Sequence, residues 1–371
     1  MQVPDIHALT REVLWAAFIL AFIFGAIAQR THFCTMGAIS DVVNMGDWTR
    51  MRQWGMAMGV AMIGFAALVY SGQIDPSKTL YASTRWIWLS AIVGGGLFGF
   101  GMVLTSGCAS KTLIRIGGGS LKSLIVFGVM GVAAFATLKG ITAVARVDTV
   151  DKIAIDFAAG TTLPIWTSAA FGIHYAAAGL ILAVLLGGGL IAWALAGPDF
   201  RRADNLLAGL GIGAVIVAMW WVSGHLGYVA ESPDTLQEAF LGTSSGKAEA
   251  FSFVAPAAYT LNWLIYFSDA SNVLTVGIVS VFGMVLGSAA CALAMGRFRW
   301  EGFGSTEDVA NHMSGAVFMG VGGVTALGCT IGQGLSGIST LSATSFVAVA
   351  AIISGAVAAL KYQAWRMERV A

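Results

Sequence analysis

Apolar runs close to the length of a bilayer crossing recur along the chain, separated by short polar intervals. Nine are long enough to span, at residues 13–28, 54–71, 86–106, 121–138, 173–196, 204–223, 273–295, 312–328 and 344–361. A helix rises about 1.5 Å per residue, so about 20 apolar residues cross the hydrocarbon layer. The pattern predicts an all-α integral membrane protein of about nine transmembrane helices. Several runs are glycine-rich, as in 94–101 (GGGLFGFG) and 319–323 (MGVGG). Small residues let helices approach closely in lipid, where apolar surface alone does not drive association.

Three shorter segments fit neither a span nor a polar loop: His32–Asn44, Cys108–Leu121 and Cys329–Leu341. Each follows an apolar run and carries a cysteine near its start. Irregular backbone at membrane depth is tolerated only where protein buries it or a cavity hydrates it. These segments are expected to be re-entrant loops or half-helices.

Composition narrows the class. Of 371 residues, 57% are hydrophobic and 11% charged, with a mean hydropathy of +0.80 and a net charge of +1. Soluble domains carry about 25% charged residues. That excludes soluble enzymes, nucleic-acid binders, disordered tails and fibrous proteins. Four cysteines without a CxxC pair give no support for a disulfide framework, zinc or iron–sulfur, and no cofactor is expected. No P-loop or strand-flanked GxGxxG is present, so the sequence offers no nucleotide-binding motif. The first apolar run, Val13–Ala28, shows no signal-peptide cleavage site. Basic residues concentrate in the loops on the C-terminal side. The positive-inside rule then puts the C-terminus in the cytoplasm and the N-terminus outside. The 224–272 loop, with Glu231, Asp234, Glu238, Glu249 and Asp269 against Lys247, suits the outer face. Trp86, Trp88, Trp220 and Trp221 read as interfacial belts.

Residues 94–108 align without gaps to 315–329, matching at Gly94/Gly315, Gly99/Gly320, Gly101/Gly322, Val103/Val324, Gly107/Gly328 and Cys108/Cys329. One copy runs inward and the other outward, the arrangement of inverted-repeat transporters. The expected organisation is one polytopic domain, 1–371, with a first half at 13–138, connecting spans and outer loops at 139–272, and a second half at 273–361. A weaker match, 30–44 with 297–311, falls on one side of the membrane and does not fit the inversion.

Cysteine in a helix behaves as a small hydrophobe, and Cys291, with no motif around it, reads as packing. Cys108 and Cys329 differ. Each follows a glycine, opens a broken segment and is the other's repeat mate. Cys34 lies in Arg30-Thr-His-Phe-Cys34-Thr-Met-Gly, a turn past the first span.

These three segments together resemble the YeeE/YedE family of membrane proteins: R-x-x-F-C at Arg30–Cys34, G-x-G-x-x-L-x-x-G-C ending at Cys108, and the Met319–Ser339 segment around G-C-x-I-G-Q-G-L-S-G. The resemblance runs from about residue 13 to 361. It implies an hourglass-like helical fold with inverted halves and short re-entrant loops in a bacterial inner membrane. It also implies uptake of an inorganic sulfur anion, thiosulfate in the best-known members, along Cys34, Cys108 and Cys329. His32 stands where the family commonly has glycine. Any TusA-like sulfurtransferase partner would be a separate chain.

Physical chemistry gives such a path a reason. Protonated thiols are weak donors suited to a soft terminal sulfur, and helix N-termini add positive potential without a mobile counter-ion. Weak, multiple sites let an ion leave as well as enter. Thr330 and Gln333, beside Cys329, are candidate donors to sulfonate oxygens, with Gly107 and Gly328 as supporting positions. Lys111 and Arg115 either attract the departing anion or meet lipid headgroups, and Arg30 either steers it or snorkels. Asp41 and Asp308 are expected to pair with Arg30 and Arg297 or to cap helices. His174 and His312 are expected to pack or hydrogen-bond. The rival reading is a membrane sulfurtransferase carrying a cysteine persulfide, which needs an activated thiolate. The motifs do not separate thiosulfate from sulfite or a selenium analogue.

Overall fold

The computed structural model describes residues 6–232 and 236–370, so Asp234 of the acidic loop lies outside the described residues. In chain order the helices are α1 (Ile6–Thr31), α2 (Thr35–Met45), α3 (Thr49–Tyr70), α4 (Trp88–Leu104), α5 (Ala109–Gly117), α6 (Leu121–Lys139), α7 (Ile141–Asp148), α8 (Leu163–Phe171), α9 (Tyr175–Ala196), α10 (Ala203–Leu206), α11 (Ile212–Trp221), α12 (Val254–Ile265), α13 (Val276–Ala294), α14 (Thr306–Thr325) and α15 (Ala343–Val370). π-turns extend α10 and α11 into one helix, Ala203–Leu226. A further short helix, 330–339, is wound largely as π. Among the described residues eight helices are long and apolar enough to cross a membrane. α14, 20 residues long and acidic in its first turn at Glu307 and Asp308, is long enough but falls outside that set.

The 224–272 stretch is more than a loop. It contains α12, whose Val254, Ala257 and Ala258 are buried and whose Ala257 backbone lies near Gly131 of α6. Its 12 residues are too short to span, and acidic neighbours mask it in a hydropathy window. Trp220 also departs from the belt reading. It is fully buried, and its indole N–H donates to Ser339 Oγ at 2.9 Å.

The long helices pack where glycine removes the side chain. A Cβ on Gly94 would lie 2.7 Å from Gly322 O, and one on Gly101 would lie 2.6 Å from Gly315 O; the reverse contacts, Gly322 on Gly94 O and Gly315 on Gly101 O, are at 2.6 and 2.7 Å. The repeat maps Gly94 to Gly315 and Gly101 to Gly322, so it turns one of these contacts into the other and the antiparallel α4–α14 contact is its own image. Gly99 of α4 likewise abuts α15 at Ile352, as Gly320 of α14 abuts α6 at Met130.

Three connectors close one face through backbone bonds. Ala248 N–H donates to Lys78 O (3.0 Å), Phe157 N–H to Thr84 O (2.8 Å) and Val276 N–H to Gly242 O (2.7 Å). On the opposite face, residues 118–121 bond the 299–301 strand-like segment, through Arg299 N–H to Gly118 O (3.1 Å) and Leu121 N–H to Glu301 O (2.9 Å).

Candidate functional site

Each cysteine of interest follows the same local device. α1, α4 and α14 end in a residue of left-handed backbone: His32 (φ 54°), Ser106 (φ 55°) and Leu327 (φ 57°). This conformation costs a non-glycine residue about 1–2 kcal/mol. Closing bonds offset it, as in Gly107 N–H to Met102 O and Gly328 N–H to Gly323 O, both 2.8 Å. Two residues on stands the cysteine, at the start of a short helix. Cys34 caps α2, its Sγ accepting from Gly37 N–H at 3.4 Å. Cys108 is the cap residue of α5. Cys329 precedes 330–339, its Sγ accepting from Gly332 N–H at 3.5 Å. The glycines before Cys108 and Cys329 are not the left-handed residues. They give room for neighbours: a Cβ on Gly107 would lie 3.1 Å from Lys111 Cγ, and one on Gly328 3.1 Å from Gln333 Cγ.

The three sulfurs are buried together in the core. The Cys34 and Cys108 thiols are close enough to interact, and Cys108 in turn lies in electrostatic range of Cys329. Ser110 Oγ is 3.2 Å and Thr35 Oγ1 4.0 Å from Cys108 Sγ. The buried Thr330 hydroxyl faces the Cys108 thiol and, among the described residues, has no nitrogen or oxygen partner. Backbone N–H groups of Ile331, Gly332 and Phe253 surround the Cys329 sulfur. Phe253 is the cap residue of α12. The N-termini of four short helices therefore meet around the thiols, each an end of positive potential. Phe253 meets Cys329 through its backbone N–H, where Cys34 meets Cys108 through its thiol, and no cysteine in the sequence pointed to it.

On the connector face, a cavity of about 420 Å³ reaches down to Gly328 and Gln333, beside Cys329. On the other face lies a basic group. Lys111 and Arg115 are both half-buried, and Lys111 is in electrostatic range of Cys34 and Cys108. Arg297 Nη1 is 3.3 Å from His32 Nε2. This contact puts residues 30–32 and 297 on one face, so the weaker 30–44 match is no part of the inversion. Lys122 pairs with Glu301 at 2.8 Å, which holds that carboxyl below its ordinary range.

The other named residues divide. Gln333 is occupied, its amide donating to Ala326 O and its carbonyl accepting from Ser345 Oγ, both 2.6 Å. The ion pairs differ from those expected, since Asp41, 5% exposed, pairs with Arg50 and Arg30 with exposed Asp204 at 3.2 Å. Asp308 caps as expected, its carboxylate accepting from Gly304 N–H at 3.2 Å at the start of α14, and it also lies 2.9 Å from His312 Nδ1. Arg50 was not legible as a site residue; its guanidinium covers Gly37, in the first turn of the Cys34-capped helix. His174 is exposed and caps α9 through Ala176 N–H (3.3 Å). Cys291, half-buried on α13, contacts Met295 Sδ at 3.4 Å, apart from the other three. No metal-ligand cluster occurs among the described residues.

The fold and this core define a polytopic helical membrane protein built around paired broken helices. The chain belongs to the sulphur transport family, whose model matches residues 30–358. It is 26% identical to the thiosulfate transporter TsuA of Spirochaeta thermophila, over 92% of this chain and 97% of the relative. To TsuA of Escherichia coli K12 it is 24% identical, over 87% of each. The probable transporter YedE of Escherichia coli K12 matches at 29%, over 29% of this chain and 25% of that one.

Proposed function

We propose that the protein carries thiosulfate into the cytoplasm along Cys329, Cys108 and Cys34, without a chemical step. The observation that supports this most is the meeting of short-helix N-termini around three buried thiols, between an outer cavity and an inner basic group. A dianion in the cavity reaches Cys329 past Gly328, where backbone N–H groups solvate its oxygens. The buried Thr330 hydroxyl and the Cys108 thiol take it next, then Cys34. Lys111, Arg115 and Arg297 draw it off, and Arg50 holds Gly37 and thus the Cys34 cap in place. Among the described residues no cationic side chain acts on the Cys329 sulfur, so the ion is held by dipoles rather than by a full charge and can leave.

In this reading the membrane is a bacterial inner membrane, with the connector face outside and the basic face inside. We keep the first half of the inverted repeat at α1–α6 and extend the second from residue 273 back to Ala203, which leaves α7–α9 as the connection. A TusA-like sulfurtransferase on the cytoplasmic side would accept the sulfur. The test is uptake of labelled thiosulfate by cells lacking their own importers. The protein should raise initial uptake well above the vector control, and equal rates would reject the assignment. A stable persulfide on purified protein after thiosulfate exposure would instead favour the sulfurtransferase reading.

A further inference from the structure

The outer cavity leading to Cys329 carries an acid that an anion path does not need. Glu249 lines it, together with Arg85, Arg146, Tyr81, Gly328 and Gln333. Its carboxylate accepts from Ser245 Oγ at 2.8 Å and Ser244 N–H at 3.4 Å. Among the described residues no cation pairs with it. Lys247, two positions earlier, reaches toward Ala82 O (3.5 Å) instead. The cavity's arginines are engaged with Asp151: Arg146 Nε lies 3.0 Å from its carboxylate, and Arg85 donates to its backbone carbonyl at 2.8 Å. The remaining titratable neighbours are the phenols of Tyr81 and Tyr259, both close enough to feel the Glu249 charge. Tyr81 also feels Cys329 and donates to Gly332 O, in the short helix that Cys329 opens.

Position adds to the oddity. Glu249 stands four residues before the Phe253 cap, as Arg30 stands four before the Cys34 cap. Burial pushes the Glu249 carboxyl above its ordinary value of 4.5. With Glu249 neutral, Arg85 and Arg146 against Asp151 leave the cavity with one net positive charge. With Glu249 ionised that charge is cancelled, and a carboxylate faces the arriving dianion.

We propose that Glu249 is an electrostatic gate on the outer mouth: protonated, it admits the anion to Cys329; ionised, it turns the anion away. The sign follows directly. A group with a raised pKa is protonated below that value, so uptake rises on external acidification and falls as pH climbs through it. A single charge acting on a dianion across a partly hydrated cavity is worth roughly tenfold in entry rate.

The inference rests on thiosulfate transport, and its test separates the two. Initial rates of labelled thiosulfate uptake are measured in proteoliposomes from about pH 5 to about pH 8, with the pH equal on both sides so that no proton gradient contributes. The wild-type protein should lose roughly tenfold in rate toward alkaline pH. Glu249→Gln should run at the acid rate throughout, and Glu249→Asp should keep a pH-dependent profile. Uptake that is flat with pH in the wild type overturns the gate, as does a wild-type profile in Glu249→Gln. No uptake by the wild type at any pH would instead overturn the transport reading itself.

Discussion

Replacing Cys108 by alanine should separate a path residue from a packing residue. The thiol is fully buried, with Ser110, Thr35, Thr330 and Cys34 around it. Deleting one buried sulfur removes about a methylene's worth of packing, near 1 kcal/mol. The fold should therefore survive with a slightly lowered melting temperature. Transport loses more. A donor taken from a dry site leaves the anion's sulfur unpaired at that step, at a cost of about 1–3 kcal/mol, or roughly 5- to 150-fold in rate. Cys291→Ala provides the control, because its half-buried sulfur contacts Met295 and none of the other three cysteines. Its uptake should stay within about twofold of wild type. The assay is initial thiosulfate uptake in proteoliposomes at matched protein content, with melting temperatures of both variants in detergent. Equal loss in both variants, or normal uptake in Cys108→Ala, would refute the reasoning.

Two further substitutions probe the scaffold. Gly322→Ala puts a Cβ 2.5 Å from Phe98 N and 2.6 Å from Gly94 O at the α4–α14 crossing. It should cost about 1–3 kcal/mol and lower the melting temperature in detergent, while Gly96→Ala, with nothing within 4 Å of its Cβ, should not. Arg50→Met leaves the buried Asp41 carboxylate unpaired, at about 3–5 kcal/mol. Asp41→Asn added to that variant should recover most of the loss, and a double variant as unstable as the single would contradict the pairing.

The long helices and the Gly-Cys sites were readable because hydropathy and an ungapped repeat are local properties of the sequence. What stayed hidden depends on tertiary packing or lacks its usual marker. The helix breaks fall on His32, Ser106 and Leu327, none of them the glycine that normally flags a left-handed cap. α12 is short and lies among acids. Phe253 caps α12 without a cysteine, so a search for repeated cysteines passes over it. The partners of Asp41 and Arg30 lie on α3 and α10, and Gln333, read as a donor to substrate, spends its amide on the end of α14.

The central claim is that a dianion rests, unbonded, where the short helices begin. A high-resolution structure of the protein with thiosulfate, located through the anomalous signal of its sulfurs, tests this most directly. The anion should lie between Cys329 and Cys108, with oxygens on the N–H groups at residues 331 and 332 and near Thr330 Oγ, and no covalent link to any cysteine. Density confined to the basic inner face, or a sulfur bonded to Cys108 or Cys329, would contradict it.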